Sequence, residues 1–167
     1  MDSVDKVNKL SKSDFISVFG NVFEKTTWIA EKAFDFKPFE NFDKLTERFL
    51  NIFENEKKEN HLKILNSHPE LVVEKIMTMD SKKEQNNAEL NQCTKEELEE
   101  FVKLNKDYKK KFDFPFIIAV AGRNKSEILD NFRKRISSDP EIEFNEAVKQ
   151  VKQIANFRLK ELSSKAF

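Results

Sequence analysis

A histidine locked in front of a proline is the first place in this sequence where chemistry could happen: His68 stands in the run Asn66-Ser67-His68-Pro69-Glu70-Leu71. An imidazole titrates at about 6.5 when nothing perturbs it, so His68 is a natural proton carrier near neutral pH. Sixteen residues later (84 minus 68) come a carboxylate and an amide, in Ser81-Lys82-Lys83-Glu84-Gln85. Near the end, Arg158 falls between Ala155 and Leu162 in the helical phase of Phe144, Val148 and Val151, which points a guanidinium toward the core. Such a planar fork holds a carboxylate or carbonyl through two parallel hydrogen bonds. Histidine, carboxylate and arginine together describe a metal-free acid/base site.

Each of these residues also has a plainer role. His68 could cap a following helix, since Pro69 suits a first helical turn. Ser81-x-x-Glu84 has the spacing of a capping box, in which Glu84 bonds back to the Ser81 amide at a gain of about 1 kcal/mol; by spacing alone that role is the stronger. Arg158 could snorkel to a rim or neutralise a buried carboxylate. Other chemistries lack their residues. His61 and His68 are separated by a helix end, with no His-Glu-x-x-His or cysteine cluster beside them, so no metal site is expected. Cys93 is the single cysteine, which excludes an intramolecular disulfide and a Cys-x-x-Cys pair, and no histidine lies near it in sequence. Neither a Gly-x-Ser-x-Gly elbow nor a phosphate-cradling glycine loop occurs, which argues against hydrolase and nucleotide chemistry.

Charge and composition narrow the partners. Thirty basic residues balance thirty acidic ones, so no long-range field draws the chain to nucleic acid or an anionic membrane. The one basic run, Lys109-Lys110-Lys111, reads as the end of a helix, where lysines complement the macrodipole. No apolar run approaches membrane-spanning length, and Met1-Asp2-Ser3-Val4-Asp5-Lys6 lacks the apolar core of a signal peptide. A soluble protein of a reducing compartment is expected. The ending Ser164-Lys165-Ala166-Phe167 is not Ser-Lys-Leu, which favours the cytoplasm. Lysines outnumber arginines 25 to 5, a skew that resembles base composition, so each arginine is expected where lysine would not serve.

Positioning falls to helices, because two glycines and four prolines are too few for an all-β protein. Ser13-Asp14-Phe15 is expected to begin a helix that Gly20 closes, and Val22, Phe23, Trp28, Ile29 and Ala33 to feed the core after it. Leu45, Phe49, Ile52 and Phe53, then Leu62, Ile64 and Leu65, recur at helical spacing. Pro69 disfavours the α region for His68, so a helix should end just before it and leave His68 at a fixed corner. Ser81 and Thr94 are expected to start two helices, the second carrying Leu98, Phe101, Val102, Asn105 and Tyr108 inward. Ser126 caps the next, and Asp139-Pro140 introduces the longest, of about 20 residues. The run Phe112-Asp113-Phe114-Pro115-Phe116-Ile117-Ile118-Ala119-Val120 is too apolar for a surface loop and reads as extended core. The expected fold is all-α: one domain over residues 1–167, a bundle of about eight helices with one short extended core segment.

The pieces "SHPEL", "SKKEQNNAEL", "LNKDYKKKFDFPFIIAV" and "QIANFRLKEL", in this order, resemble the 2-oxo-4-hydroxy-4-carboxy-5-ureidoimidazoline (OHCU) decarboxylase family of urate breakdown. "FISVFGNVFEKTTWIAEKAF" and "KPFENFDKL" are similar to its opening helices, so the likeness covers nearly the whole chain. The resemblance implies an all-helical bundle, usually a homodimer, needing neither metal nor organic cofactor, that removes carbon dioxide from OHCU and protonates one face to give (S)-allantoin. Carried across by motif, His68 and Glu84 are the catalytic pair. Pro69, Ser81, Gln85 and Arg158 are the substrate-binding positions, and the main chain of Phe116, Ile117 and Ile118 lines the pocket.

Three departures stand out against that family. Glu89 occupies the glycine of its Ala-Gly-Leu, Asp113 the glycine of its Phe-Gly-Phe-Pro-Phe, and the segment between His68 and Ser81 is shorter. A glycine lost at such a place removes easy access to positive φ and adds charge near the pocket. Two rival readings follow: a catalytically silent helical module that binds a small molecule, and a decarboxylase of a related ureido or imidazoline acid.

Overall fold

Helix starts in this chain are set by side chains that catch the unpaired amides of a first turn. The computed structural model describes residues 3–72 and 78–165. Part of the shortened segment before Ser81, residues 73–77, and the terminal Ala166-Phe167 lie outside them. The helices are α1 (Ser3–Asn8), α2 (Lys12–Phe19), α3 (Trp28–Phe34), α4 (Phe42–Glu54), α5 (Lys58–Ser67), α6 (Met79–Asn87), α7 (Lys95–Phe112), α8 (Lys125–Arg135) and α9 (Pro140–Ser163). Among the described residues these nine helices occur without a β-strand, so the fold is all-α, with one helix more than the expected eight.

The caps refine the expected boundaries. Ser11, not Ser13, caps α2 by accepting the Asp14 amide at 3.1 Å. Thr78, not Ser81, caps α6 by accepting the Ser81 amide at 3.2 Å, and Asn124, not Ser126, caps α8 by accepting the Glu127 amide at 2.9 Å. The reason is the same each time. An acceptor two or three residues earlier can bond the same first turn, and the helix gains residues by using it. Thr94 and Glu97 form the expected capping box, with reciprocal bonds of 3.2 and 3.0 Å. α5 ends at Ser67, immediately before His68, but Pro69 does not begin a helix: an irregular stretch and a turn at Leu71-Val72 follow.

The chain divides into two compact units, one from the residues up to Ile64 and from Lys152 onward, the other Leu65–Val151. α5 and α9 each supply residues to both. In the first unit, α3 packs on α2 and α4, and Phe15 of α2 lies 5.6 Å from Phe34 of α3 and 6.1 Å from Phe49 of α4, centroid to centroid. Phe23 stacks on Phe53 at 4.9 Å, and the His61 ring lies 4.7 Å from the Phe53 ring, with Nε2 2.7 Å from the Phe53 carbonyl. His61 is therefore structural.

The second unit is built around Tyr108, whose ring meets Phe112, Phe114, Phe116 and Phe132 within 5.8 Å. The inward face of α7 is Phe101, Asn105, Tyr108 and Phe112. Leu98 and Val102, expected inside, are 43% and 52% exposed, because the chosen phase steps from Phe101 by four, three and four residues and turns them outward. α9 has 24 residues and is the longest helix, as expected, yet its buried positions include Glu143, Gln150 and Arg158 beside Ala147, Val151, Ala155 and Leu159. Phe144, Val148 and Leu162, expected inward, are only half-buried.

Candidate functional site

The corner at His68 is held from three directions within the second unit. Its amide donates to the Leu65 carbonyl at 3.2 Å as α5 runs out, and the residue is 8% exposed. Gln85 reaches back from α6: its Oε1 accepts the Val72 amide at 3.2 Å, and its Nε2 donates to the Glu70 carbonyl at 3.4 Å. Asn105 of α7 donates to the Leu71 carbonyl at 2.8 Å. Val72 itself sits at φ 59, a left-handed conformation that a β-branched residue adopts only at a cost of about 1–2 kcal/mol. The turn following His68 and Pro69 is thus clamped rather than left to its own preference.

α6 presents an unusual inward face. Its buried residues are Ser81 and Gln85, one turn apart, and Glu84 between them is half-buried. A nine-residue helix normally buries an apolar stripe to hold itself on a core. Here the side chains turned inward are polar, and with Thr78 as the cap, Glu84 is not the carboxylate of a capping box at Ser81. The stronger sequence reading of Glu84 is thereby removed.

The helix closes at Glu89, φ 66, with Glu89 and Leu90 amides donating to the Asn86 and Gln85 carbonyls at 3.0 Å each, the pattern of a Schellman turn. Asp113, φ 64, closes α7 in the same conformation. Both positions where the resembling family carries glycine keep the left-handed backbone despite their side chains.

Phe116, Ile117 and Ile118 form part of an extended, fully buried stretch, as expected. Side chains bond three groups of its main chain: Arg135 Nη1 donates to the Ile117 carbonyl at 2.7 Å, Gln150 Oε1 accepts the Ala119 amide at 2.9 Å, and Arg123 Nε donates to the Ala119 carbonyl at 3.1 Å.

Arg158 belongs to the first unit, at 5% exposure. Its Nη2 donates to Glu24 Oε2 at 3.0 Å and its Nη1 to the Asn21 carbonyl at 2.8 Å. Glu24 is wholly buried, so the arginine does neutralise a buried carboxylate, the plainer role considered for it. Sequence reasoning missed Glu24, Arg135, Glu143 and Gln150. All are buried polar residues, and only the arginine skew hinted at one of them.

Nucleophilic and metal chemistry gain nothing from the structure. Burial, with Glu97 nearby, pushes the Cys93 thiol up, away from the thiolate that attack requires. Among the described residues no group of three or more His, Cys, Asp or Glu side chains is placed to hold a metal ion, and no helix is long and apolar enough to cross a membrane.

Comparison with known proteins gives one consistent answer. The family model for OHCU decarboxylase matches residues 8–160. The chain is 37% identical over 162 residues to the uric acid degradation bifunctional protein of Bacillus sp. (strain TB-90), covering 97% of this chain and 32% of that protein. It therefore spans about a third of the length of that relative, and 33% of a second from Bacillus subtilis. It is 33% identical to the 2-oxo-4-hydroxy-4-carboxy-5-ureidoimidazoline decarboxylase of Haloferax volcanii, with 95% of each chain covered. A crystal structure of (S)-allantoin synthase superposes with a TM-score of 0.75 at 27% identity, over 95% of this chain and 53% of that one. One of OHCU decarboxylase in the presence of (S)-allantoin gives 0.74 at 23% identity, over 87% and 97%, a likeness of fold.

Proposed function

The chain belongs to the OHCU decarboxylase family, and from that premise we propose that it is a carboxy-lyase that converts OHCU to (S)-allantoin in urate breakdown. The bond between the ring carbon and the carboxylate breaks, carbon dioxide leaves, and the electron pair is delocalised into the ring until a proton is delivered to one face of that carbon. Such a reaction needs donors where charge develops and a positioned acid. His68 is that acid/base, a role worth about 10²–10⁴-fold for a positioned group. Glu84 holds its tautomer. Ser81, Gln85, Pro69 and the main chain of Phe116, Ile117 and Ile118 receive the substrate, and Arg158 keeps the substrate-binding role that its place in the family motif implies. On this reading the enzyme works without metal or organic cofactor, as a homodimer in the cytoplasm.

The observation that carries the proposal is the polar inward face of α6, Ser81 and Gln85 buried with Glu84 between them, tied by Gln85 to the turn that follows His68. The test is OHCU generated in situ from urate, following its absorbance decay and the chirality of the allantoin with wild-type protein and His68→Asn. Fast decay to optically active (S)-allantoin, slowed at least about 100-fold by the substitution, is the expected result. Decay at the spontaneous rate to racemic product, from folded protein, would overturn it.

One observation favours a second reading, a silent small-molecule-binding module: Gln85 bonds to the backbone at Glu70 and Val72, and Arg158 to the Asn21 carbonyl and to Glu24. Saturable binding of (S)-allantoin without turnover of OHCU distinguishes it.

A further inference from the structure

The extended run 114–120 poses a physical problem. It is buried, and among the described residues no strand lies beside it, yet buried amides and carbonyls must be hydrogen-bonded. Two of these groups, the Ile117 carbonyl and the Ala119 amide, are met by side chains from α8 and α9. Arg135, 8% exposed, spends its guanidinium on three things: Nη1 on the Ile117 carbonyl at 2.7 Å, Nε on Glu143 Oε1 at 2.8 Å, and its flat face on the Phe116 ring at 4.4 Å. Glu143, 1% exposed, is fixed in turn by the Tyr108 hydroxyl at 2.5 Å. Phe116 is clamped from its other neighbours by Phe132, stacked at 3.9 Å and 7°. Two residues on, Gln150 takes the Ala119 amide through Oε1 while its Nε2 donates to Glu146 at 2.8 Å, which fixes which end of the amide faces the segment.

A lysine at position 135 could keep the charge opposite Glu143. It could not span Glu143 and the Ile117 carbonyl with one rigid plane, nor lie flat on Phe116. In a chain with five arginines against 25 lysines, that geometry explains why this position is arginine.

We propose that Arg135 and Gln150 are positioning residues for the substrate pocket: they set the main-chain geometry at Phe116, Ile117 and Ile118, and so the fit for substrate, without touching it. The inference rests on the decarboxylase reading above and adds to it the residues that shape this wall.

The test uses residues 1–167 and the variants Arg135→Lys and Gln150→Leu. Tyr108→Phe serves as a comparator, destabilised in the same cluster but with the Ile117 and Ala119 bonds in place. Two quantities are read on folded protein, amide exchange across 114–120 and steady-state kinetics with OHCU. Expected for both variants are faster exchange confined to that segment and a KM raised about tenfold, the factor for one lost buried hydrogen bond, with kcat within about threefold of wild type. The comparator keeps the wild-type KM. Unchanged exchange, an unmoved KM, or a Tyr108→Phe that raises KM equally would each overturn the inference. An inactive wild type would sink the decarboxylase reading and the inference with it, whereas an active wild type with unmoved variants sinks the inference alone.

Discussion

Each arginine in this chain sits where a planar, always-charged group fits and a point charge would not. Arg48 lies 3.9 Å over the Phe36 ring, Arg133 makes two 2.6 Å bonds to the Glu100 carboxylate, and Arg123, Arg135 and Arg158 donate to backbone carbonyls. The Arg158 and Glu24 pair is the most consequential, because both partners are buried and neither charge tolerates isolation. Glu24→Ala is expected to cost about 3–5 kcal/mol in urea denaturation, the range for an uncompensated buried charge; a loss under about 1 kcal/mol would mean the guanidinium readily finds water. Glu89 shows the opposite sign. At φ 66 it occupies a backbone conformation that costs an ordinary side chain roughly 1–2 kcal/mol, so Glu89→Gly should raise stability by about 1 kcal/mol, and Asp113→Gly by less, since aspartate visits that region more easily. Equal or lower melting temperatures for both would show that the closing turns are not strained.

At the scale of the element, the start of α6 decides what its residues are for. If Thr78 is the cap, Thr78→Ala costs about 1 kcal/mol, while Ser81→Ala leaves stability nearly unchanged and instead raises KM for OHCU. The reverse pattern would restore Ser81 as the cap. Spacing alone could not separate the two, because Thr78 and Ser81 are both capping types three residues apart. Apolar periodicity and hard stops were legible: the end of α5 before His68-Pro69, the capping box at Thr94, the start of α9 at Pro140 and the extended run at 114–120. The polar residues of inward faces were not. Glu143 and Gln150 of α9 occupy core phase, but a pattern of apolar positions has no place for them, since what makes their burial tolerable is a partner on another helix or in the extended run. Glu24, in the turns between α2 and α3, lies outside any helical pattern and was hidden as well. Of the proposed site, His68, Ser81 and Gln85 could be named from motif and are buried; their supports could not.

For the molecule as a whole, the proposal that residues 1–167 form one domain can be read with probes already present. The only tryptophan, Trp28, belongs to the first unit and the only tyrosine, Tyr108, to the second. Burial, helped by the neighbouring Glu143 carboxylate, pushes the Tyr108 phenol above its ordinary value of 10.0. The native state keeps it neutral where the unfolded chain ionises it, so this contribution to stability is complete below about pH 10 and is lost as pH rises from there. Tyrosinate absorbance should therefore appear only with unfolding, in one step that coincides with the change in Trp28 fluorescence. Tyrosinate formed near pH 10 with helical signal intact, or two separated transitions, would contradict it. The side-chain bonds along 114–120 carry a last consequence. A stretch such as Phe116-Ile117-Ile118-Ala119-Val120, apolar and rich in β-formers, is the kind of segment that recruits identical copies into cross-β stacks once its edge is bare. By occupying the Ile117 and Ala119 carbonyls and the Ala119 amide, Arg135, Arg123 and Gln150 leave less of that edge bare to such stacking.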